Sequence, residues 1–385
     1  MFAIINGTVF TMAGPPISRG TVLVEGSKIV QVGRQLPLPD DIEVFDATGK
    51  LVLPGLIDAH THVGIMEEIY RLEGDDTNET SNPVTPHLRA IDAVNPYDLG
   101  FQDALAGGVT TVVTGPGSAN VVGGEMVVMK THGTVVDDMI IRFPAGLKCA
   151  LGENPKRVYG SGKKMPATRM ASAALLRETL VAAQNYLVKQ KRAAAEGNIP
   201  ERDLQMEAVV RVLKKEVPLR VHAHRADDIM TAVRIAREFD LDLVVEHCTE
   251  GHLIAPWLAA AGVKAVVGPV ISNRAKVELM NRSLETALAL CQAGVPFALM
   301  TDHPVVPIQY LSLSAALAVK GGLPEETALK AITVDAAGLL GIRQRVGSLE
   351  AGKDADIIVA DRSLFDPNHR IEMVFVNGCQ VIGKK

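Results

Sequence analysis

The spacing of hydrophobic and polar positions along this chain changes rhythm twice. From Phe2 to Leu53, short β-branched runs (Ala3 to Ile5, Thr21 to Val24, Lys28 to Val32, Glu43 to Asp46) are broken by Gly, Pro and Asp turns, the pattern of a small β-domain. The same texture returns at the far end. There Ala355 to Ala360 and Ile371 to Val376 are strand-like, and Asn377-Gly378 is a hairpin signal before Cys379 to Ile382. Chain ends of one domain commonly meet in space, so residues 1–53 and 346–385 are predicted to form one split β-sandwich.

Between them, over residues 54–345, apolar strands alternate with helical stretches, the signature of parallel βα units. Strand-like runs occur at Leu56 to His60, Thr110 to Thr114, Met126 to Lys130, Gly146 to Leu151, Leu219 to His224, Leu243 to His247, Lys264 to Val267 and Phe297 to Thr301, eight in all. Apolar residues at three- and four-residue spacing mark helices at Ala171 to Lys191, Asp203 to Glu216, Asp227 to Phe239 and Leu284 to Ala293. The order predicts an α/β fold, a closed TIM (β/α)8 barrel. An open doubly wound sheet is disfavoured because no Gly-rich phosphate fingerprint follows the first strand.

Composition narrows the function classes. With 385 residues, 47% hydrophobic and 22% charged, the chain can bury a large core. A net charge of −5 and scattered basic residues argue against a nucleic-acid partner and favour a small-molecule substrate. The four cysteines form no C-x-x-C pair, which predicts no disulfide framework and a cytoplasmic home. Met1 to Thr8 reads as a strand and turn rather than a signal peptide, and no apolar run reaches transmembrane length, so no membrane association is expected. Base rates favour a homo-oligomer, and Trp257, on an apolar helix, is either core or interface.

The chemistry collects at strand ends. In Asp58-Ala59-His60-Thr61-His62, two imidazoles on alternate residues of an extended strand can project into one space and chelate a metal. His222 closes the fifth strand, His247 the sixth and Asp302 the eighth, at the barrel rim where catalytic groups of this fold lie. A buried histidine satisfied by a carbonyl explains any one of these, but not four sets at one rim. The chain resembles the amidohydrolase superfamily, nearest to its imidazolonepropionase-like and cyclic-amidase branches, over almost the whole sequence. The family's Asp-x-His-x-His stands here as Asp58, His60 and His62, its later histidines as His222 and His247, and its eighth-strand aspartate as Asp302. Val346-Gly347-Ser348-Leu349-Glu350-Ala351-Gly352-Lys353-Asp354-Ala355-Asp356 resembles the family's return into the β-sandwich, a structural segment.

The resemblance implies one or two divalent ions, zinc first, with Mn, Fe, Ni or Co also suited to these ligands. It further implies an anionic bridge. Lys148, inside an apolar strand, is placed to carry a CO2-derived carbamate; Glu153, just past the strand end, is the rival, and Lys130 a weaker candidate. The expected reaction is hydrolysis of a linear or cyclic amide C–N bond by activated water, with Asp302 as general acid and base. Two other readings stay open: a mononuclear deaminase using His60, His62, His222 and Asp302, and a scaffold homologue without catalysis. Around the ligands, His224 is a substrate donor or substitute ligand, and Arg225, His303 and Glu250 share its rim. Arg169 is a candidate clamp for a substrate carboxylate. The segment Gly74 to Pro96 has the length of a lid, with Asn82, His87 and Arg89 as minor candidates; Gly115 to Gly124 is flexible enough to approach substrate but reads first as a plain turn.

Overall fold

The structure, a computed structural model, describes residues 1–69 and 73–383; the last two residues of the expected C-terminal segment lie outside it. Five strands precede the barrel: β1 (Phe2–Val9), β2 (Ile17–Glu25), β3 (Lys28–Arg34), β4 (Glu43–Asp46) and β5 (Leu51–Pro54). Eight strands form it: β6 (Leu56–Thr61), β7 (Val109–Thr114), β8 (Val122–Lys130), β9 (Ile140–Ala150), β10 (Leu219–Ala223), β11 (Leu243–His247), β12 (Lys264–Val267) and β13 (Phe297–Leu299). Three return to the ends: β14 (Ile357–Ala360), β15 (Ile371–Val376) and β16 (Cys379–Ile382).

All eight predicted barrel strands exist and pair in sequence order from β6 to β13. Several are buried on both faces, as their unbroken Val-rich runs require. One apolar cluster, with Ile57, Val113, Val128, Val244, Val266 and Ala298, joins Ala336, Ala337 and Leu340 of the segment that closes the barrel where most strands begin. A second set, including Leu56, Val112, Val127, Val245 and Leu299, packs against the helices. Each such side chain contributes roughly 1.5–3 kcal/mol by leaving water. The first and last strands meet through Asp302 N–H to the His60 carbonyl at 3.2 Å and His62 N–H to the His303 carbonyl at 2.9 Å. The helices Arg169–Ala195 and Leu204–Leu213 start where side chains cap them: Thr168 Oγ1 accepts from Ala171 N at 3.1 Å, and Asp203 accepts from the amides of Gln205 and Met206.

The expectation of an all-parallel barrel is corrected at one strand. β8 runs antiparallel to both β7 and β9. The connection 115–121 is too short for a parallel crossover, which needs about a dozen residues, and suffices only for a reversal. The reversal moves the end of β8 to the opposite rim. Lys130 therefore lies far from the bridging position considered for it: its Nζ is 2.5 Å from Asp356 Oδ2 and 3.0 Å from Asp354 Oδ2. Asp354 also meets Lys28 and Arg345, at 2.7 and 2.9 Å, so the segment returning to the terminal sheet is fastened by buried charge.

The two chain ends do meet. β5 pairs antiparallel with β14, from Leu51 opposite Ala360 to Pro54 opposite Ile357, and the Asn377-Gly378 turn has both residues at positive φ, 48° and 75°, as a type I′ hairpin demands. The terminal strands do not divide into two hydrogen-bonded sheets. They form one eight-stranded sheet, ordered β16-β15-β14-β5-β1-β2-β3 with β4 on β1, with Phe2, Phe45 and Phe375 in ring contact at its core. Trp257 is 59% exposed, not core. No helix among the described residues is long and apolar enough to cross a membrane.

Removing the Lys130 charge strands buried carboxylates at the junction of sheet and barrel. Lys130→Met is expected to lower stability by about 3 kcal/mol in denaturant unfolding while leaving the metal content of purified protein unchanged. A drop in metal content without loss of stability would return Lys130 to the site.

Candidate metal centre

The strand ends of β6, β9, β10 and β11, with the turn after β13, bring His60, His62, Lys148, His222, His224, His247 and Asp302 into one buried space. Their donor atoms fall into two groups, each within 4.8 Å: His60, His62 and Asp302, and His222, His224 and His247. Ring centroids of His222 and His247 are 4.2 Å apart, and those of His60 and His247 5.5 Å, so the groups adjoin. β6 reaches the site through an irregular stretch between Asp58 and Thr61. Asp58 accepts from His60 N at 3.2 Å and from Thr301 Oγ1 at 2.5 Å, tying the first strand to the last while its neighbours face inward.

The outer nitrogens are assigned partners that turn the inner ones toward the centre. His62 Nδ1–H donates to the Gly115 carbonyl at 2.8 Å and His247 Nδ1–H to the Gly268 carbonyl at 3.0 Å, which leaves each Nε2 as a lone-pair donor. His62 Nε2 lies 3.6 Å and His60 Nε2 3.3 Å from Asp302 Oδ1. His60 Nδ1 sits 2.9 Å from Glu246 Oε2, and Glu246 in turn takes the Arg220 guanidinium. His222 Nε2 is 3.3 Å from the Asn154 amide nitrogen, and its Nδ1 is buried with no partner among the described residues. His224 Nδ1 is 2.7 Å from Thr249 Oγ1.

Burial sets the protonation of this cluster. It pushes His62 below its ordinary value, His224 to about 3, and His222 and His247 far down, so these rings are neutral with free lone pairs. Burial alone would raise Asp302, but the His60 and His62 imidazoles beside it hold it well below the carboxylate range. Burial also brings the Lys148 amine down to about 8, against the pull of Glu246 and Asp302. Its Nζ is 3.4 Å from His60 Nε2. Neutral imidazoles, an ionised carboxylate and an orphaned buried nitrogen at His222 are costly as packing and fit divalent transition metals. His60, His62 and Asp302 would hold one ion, and His222 and His247, with His224, another.

The other candidates scatter. Glu153 opens the helix Glu153–Gly160 and gives its backbone N–H to Glu278 Oε2 at 3.1 Å; its carboxylate joins neither donor group. Glu250 spends one oxygen on Ala226 N and the other on Asn281 Nδ2, at 2.7 and 2.9 Å, which makes it a structural clamp. Arg169 Nε is held by Asp228 at 3.0 Å, and Arg225 by Asp227 at 2.9 Å. His303 is buried beside Asp302, with Nδ1 accepting from Ile308 N and Nε2 3.3 Å from Glu68. Segment 74–96 is stitched onto the barrel rather than free: Thr85 N–H reaches the Val122 carbonyl and Glu125 N–H the Leu88 carbonyl, each at 2.8 Å, and Gly117 N–H reaches Thr77. Within it Asn82 makes a local turn, Arg89 stacks 5.0 Å over Phe143, and His87 lines a cavity of about 390 Å³ with Asn78 and Asn120.

Four residues at the site were not singled out from sequence: Arg220, Glu246, Asn154 and Glu278. The first two carried a visible signal, a charge inside the apolar runs of β10 and β11. Glu278, buried on the short turn Val277–Leu279, lies 3.7 Å from His224 Nε2 and 3.9 Å from His222 Nε2 and carried none.

The sequence profile of the Amidohydrolase family matches residues 51–381. The chain belongs to the amidohydrolase family. As a member it is an enzyme, a hydrolase acting on carbon–nitrogen bonds. It is 32% identical over 374 residues to Amidohydrolase tasK of Hapsidospora irregularis, covering 89% of this chain and 38% of that protein, so it spans well under half of that relative's length. It is 27% identical over 365 residues to an imidazolonepropionase of Rhizobium meliloti, covering 89% and 85%. Among solved structures, an amidohydrolase from Thermotoga maritima superposes with a TM-score of 0.97 at 45% identity over the whole of both chains.

Glu246 faces His60 and no open solvent, so it acts through that ring. Glu246→Gln, which keeps shape and a bond to Arg220, is expected to weaken metal binding about 10- to 100-fold, read by competition with a chromogenic chelator; unchanged affinity would separate Glu246 from the metal site.

Proposed function

We propose that this amidohydrolase cleaves a linear or cyclic amide of a small molecule at a two-ion centre whose bridge is the carbamate of Lys148. The carrying observation is the position of the Lys148 amine. It is buried and 3.4 Å from His60 Nε2, the imidazole whose ring lies against both His62 and His247. An unpaired ammonium there is costly. The ammonium would first lose one proton; attack of the resulting amine on CO2 would then form one N–C bond, open one C=O π bond and release a second proton, so that a two-oxygen anion replaces the cation. Divalent ions bound by these residues lower the pKa of water and polarise the scissile carbonyl.

The chain's own part in catalysis falls to Asp302. Its backbone N–H is fixed to the His60 carbonyl, its own carbonyl accepts from Val305 N at 2.9 Å, and its carboxylate stays ionised between His60 and His62. So held, it takes the proton of the attacking water and returns it to the departing nitrogen. His224, anchored by Thr249 and facing the second group, is the reserve ligand or the donor to the substrate carbonyl. Zinc suits this set first; Mn, Fe, Ni and Co are accepted by the same ligands. Two donor groups rather than one favour amide hydrolysis over mononuclear deamination.

Three measurements test this. Asp302→Asn is expected to fold and keep much of its metal but to lose about 10²- to 10⁴-fold in turnover across a panel of hydantoins, lactams, dipeptides and N-acyl amino acids; wild-type rates would end its assignment. Isotope-labelled bicarbonate should give a carbamate signal that Lys148→Ala lacks, together with a loss of bound metal in that variant. Metal analysis of protein purified without chelator should find two ions per chain. One ion, with turnover of amino-heterocycles only, would establish the deaminase, and none the non-catalytic scaffold.

A further inference from the structure

A second cavity opens beside His247. It has a volume of about 410 Å³ and is lined by His247, by apolar side chains including Val267, Ile271, Leu284 and Leu317, and by hydroxyls such as that of Ser272. Its only charged lining groups are two guanidiniums, Arg274 and Arg282, with no carboxylate among its lining residues. Arg211 and Arg220, guanidiniums elsewhere that reach buried positions, are each paired with an acid. Arg282 Nε, by contrast, is buried with no hydrogen-bond partner among the described residues. Arg274 is exposed and spends its Nε on the Met280 carbonyl at 3.4 Å.

A buried guanidinium nitrogen left unmade costs about 1–3 kcal/mol. That cost is relieved when an anion enters. A guanidinium fork matches the two oxygens of a carboxylate, and its affinity gain is largest where the walls exclude water. We infer that this cavity is the specificity pocket of the hydrolase: the substrate carries a carboxylate on an apolar body, Arg282 takes that carboxylate, and the amide extends past His247 toward the metal site. The inference rests on the hydrolase reading above and adds the substrate class, an N-acyl amino acid or a lactam acid. Arg274, already anchored and open to solvent, supplies field more than contact. Arg282 is a binding residue and touches no reacting atom.

The probe is N-methanesulfonyl-leucine, an acid with an apolar body and no amide to cleave, against its alcohol analogue N-methanesulfonyl-leucinol. In calorimetric titration of the metal-loaded enzyme the acid is expected to bind at least about tenfold more tightly. In Arg282→Met the two should bind within about twofold of each other, and Arg282→Lys should restore part of the preference; Arg274→Met should reduce it less. Equal binding of acid and alcohol by the wild type, binding of neither, or an undiminished preference in Arg282→Met overturns the pocket assignment. A folded Arg282→Met with unchanged metal content confines its effect to the pocket. Turnover of neutral amides with no acid preference would leave hydrolysis standing without this pocket, whereas acid-selective binding by a chain that hydrolyses nothing would do the reverse.

Discussion

The arrangement at the centre of this molecule depends on a buried ion pair. Arg220 on β10 and Glu246 on β11 are 1% and 0% exposed, the guanidinium also donates to the Ala59 carbonyl on β6 at 2.7 Å, and the second carboxylate oxygen faces His60. Burial alone would raise Glu246, but Arg220 and His60 hold it down to about 2. Taking both charges out of water costs more than their attraction readily returns, so the pair is poorly explained as a stabilising device. What it provides is orientation. Three strands that carry candidate ligands are locked in register beneath the site, and the imidazole most deeply buried among them is turned so that Nε2 faces Asp302 and Lys148. A ligand on a strand end is only as well placed as the layer below it.

Much of this was legible in the sequence because strands and their ends have a simple grammar. The eight apolar runs became eight strands, and His60, His62, Lys148, His222, His247 and Asp302 converged because the ends of successive barrel strands share one rim. Two failures have a common cause, chain direction. Val122 to Lys130 reads the same forwards and backwards as a buried strand, and only the short link 115–121 shows that it must reverse. Lys130 was therefore placed at the wrong rim. Arg169 and Glu250 show a different limit: a charge on a loop does not reveal that another loop has brought Asp228, or Ala226 and Asn281, to bond with it. Glu278 and Asn154 were invisible for the mirror-image reason, since tertiary structure alone carries those segments to His222.

Backbone conformation shows where the chain has been forced. His247, Cys248 and Asp302 have φ of 70°, 51° and 58°, a region that side chains other than glycine's enter at a cost of about 1–3 kcal/mol. All three sit where a strand leaves the barrel. At His247 the left-handed turn accompanies the ring's bond to the Gly268 carbonyl, and at Asp302 it accompanies the approach of the carboxylate to two imidazoles. The strain at Asp302 argues for a side chain aimed by the fold rather than one serving it.

The two donor groups rest on different parts of the barrel. His222, His224 and His247 come from β10, β11 and the turn beyond β10, adjacent strands in uninterrupted parallel register. His60, His62 and Asp302 straddle the seam where β6 meets β13, and the seam is made of the same residues: Asp302 N–H to His60, His62 N–H to His303, and Thr301 to Asp58. Closing the cylinder and assembling that half of the site are thus one event. The group of His222, His224 and His247 can exist on a partly formed sheet, whereas that of His60, His62 and Asp302 exists only once the last strand has docked on the first. Because Asp302, the proposed general acid and base, belongs to the seam group, that proposal makes chemistry available only to a chain whose barrel has closed, and a bound ion spanning the seam would in turn favour the closed state by mass action.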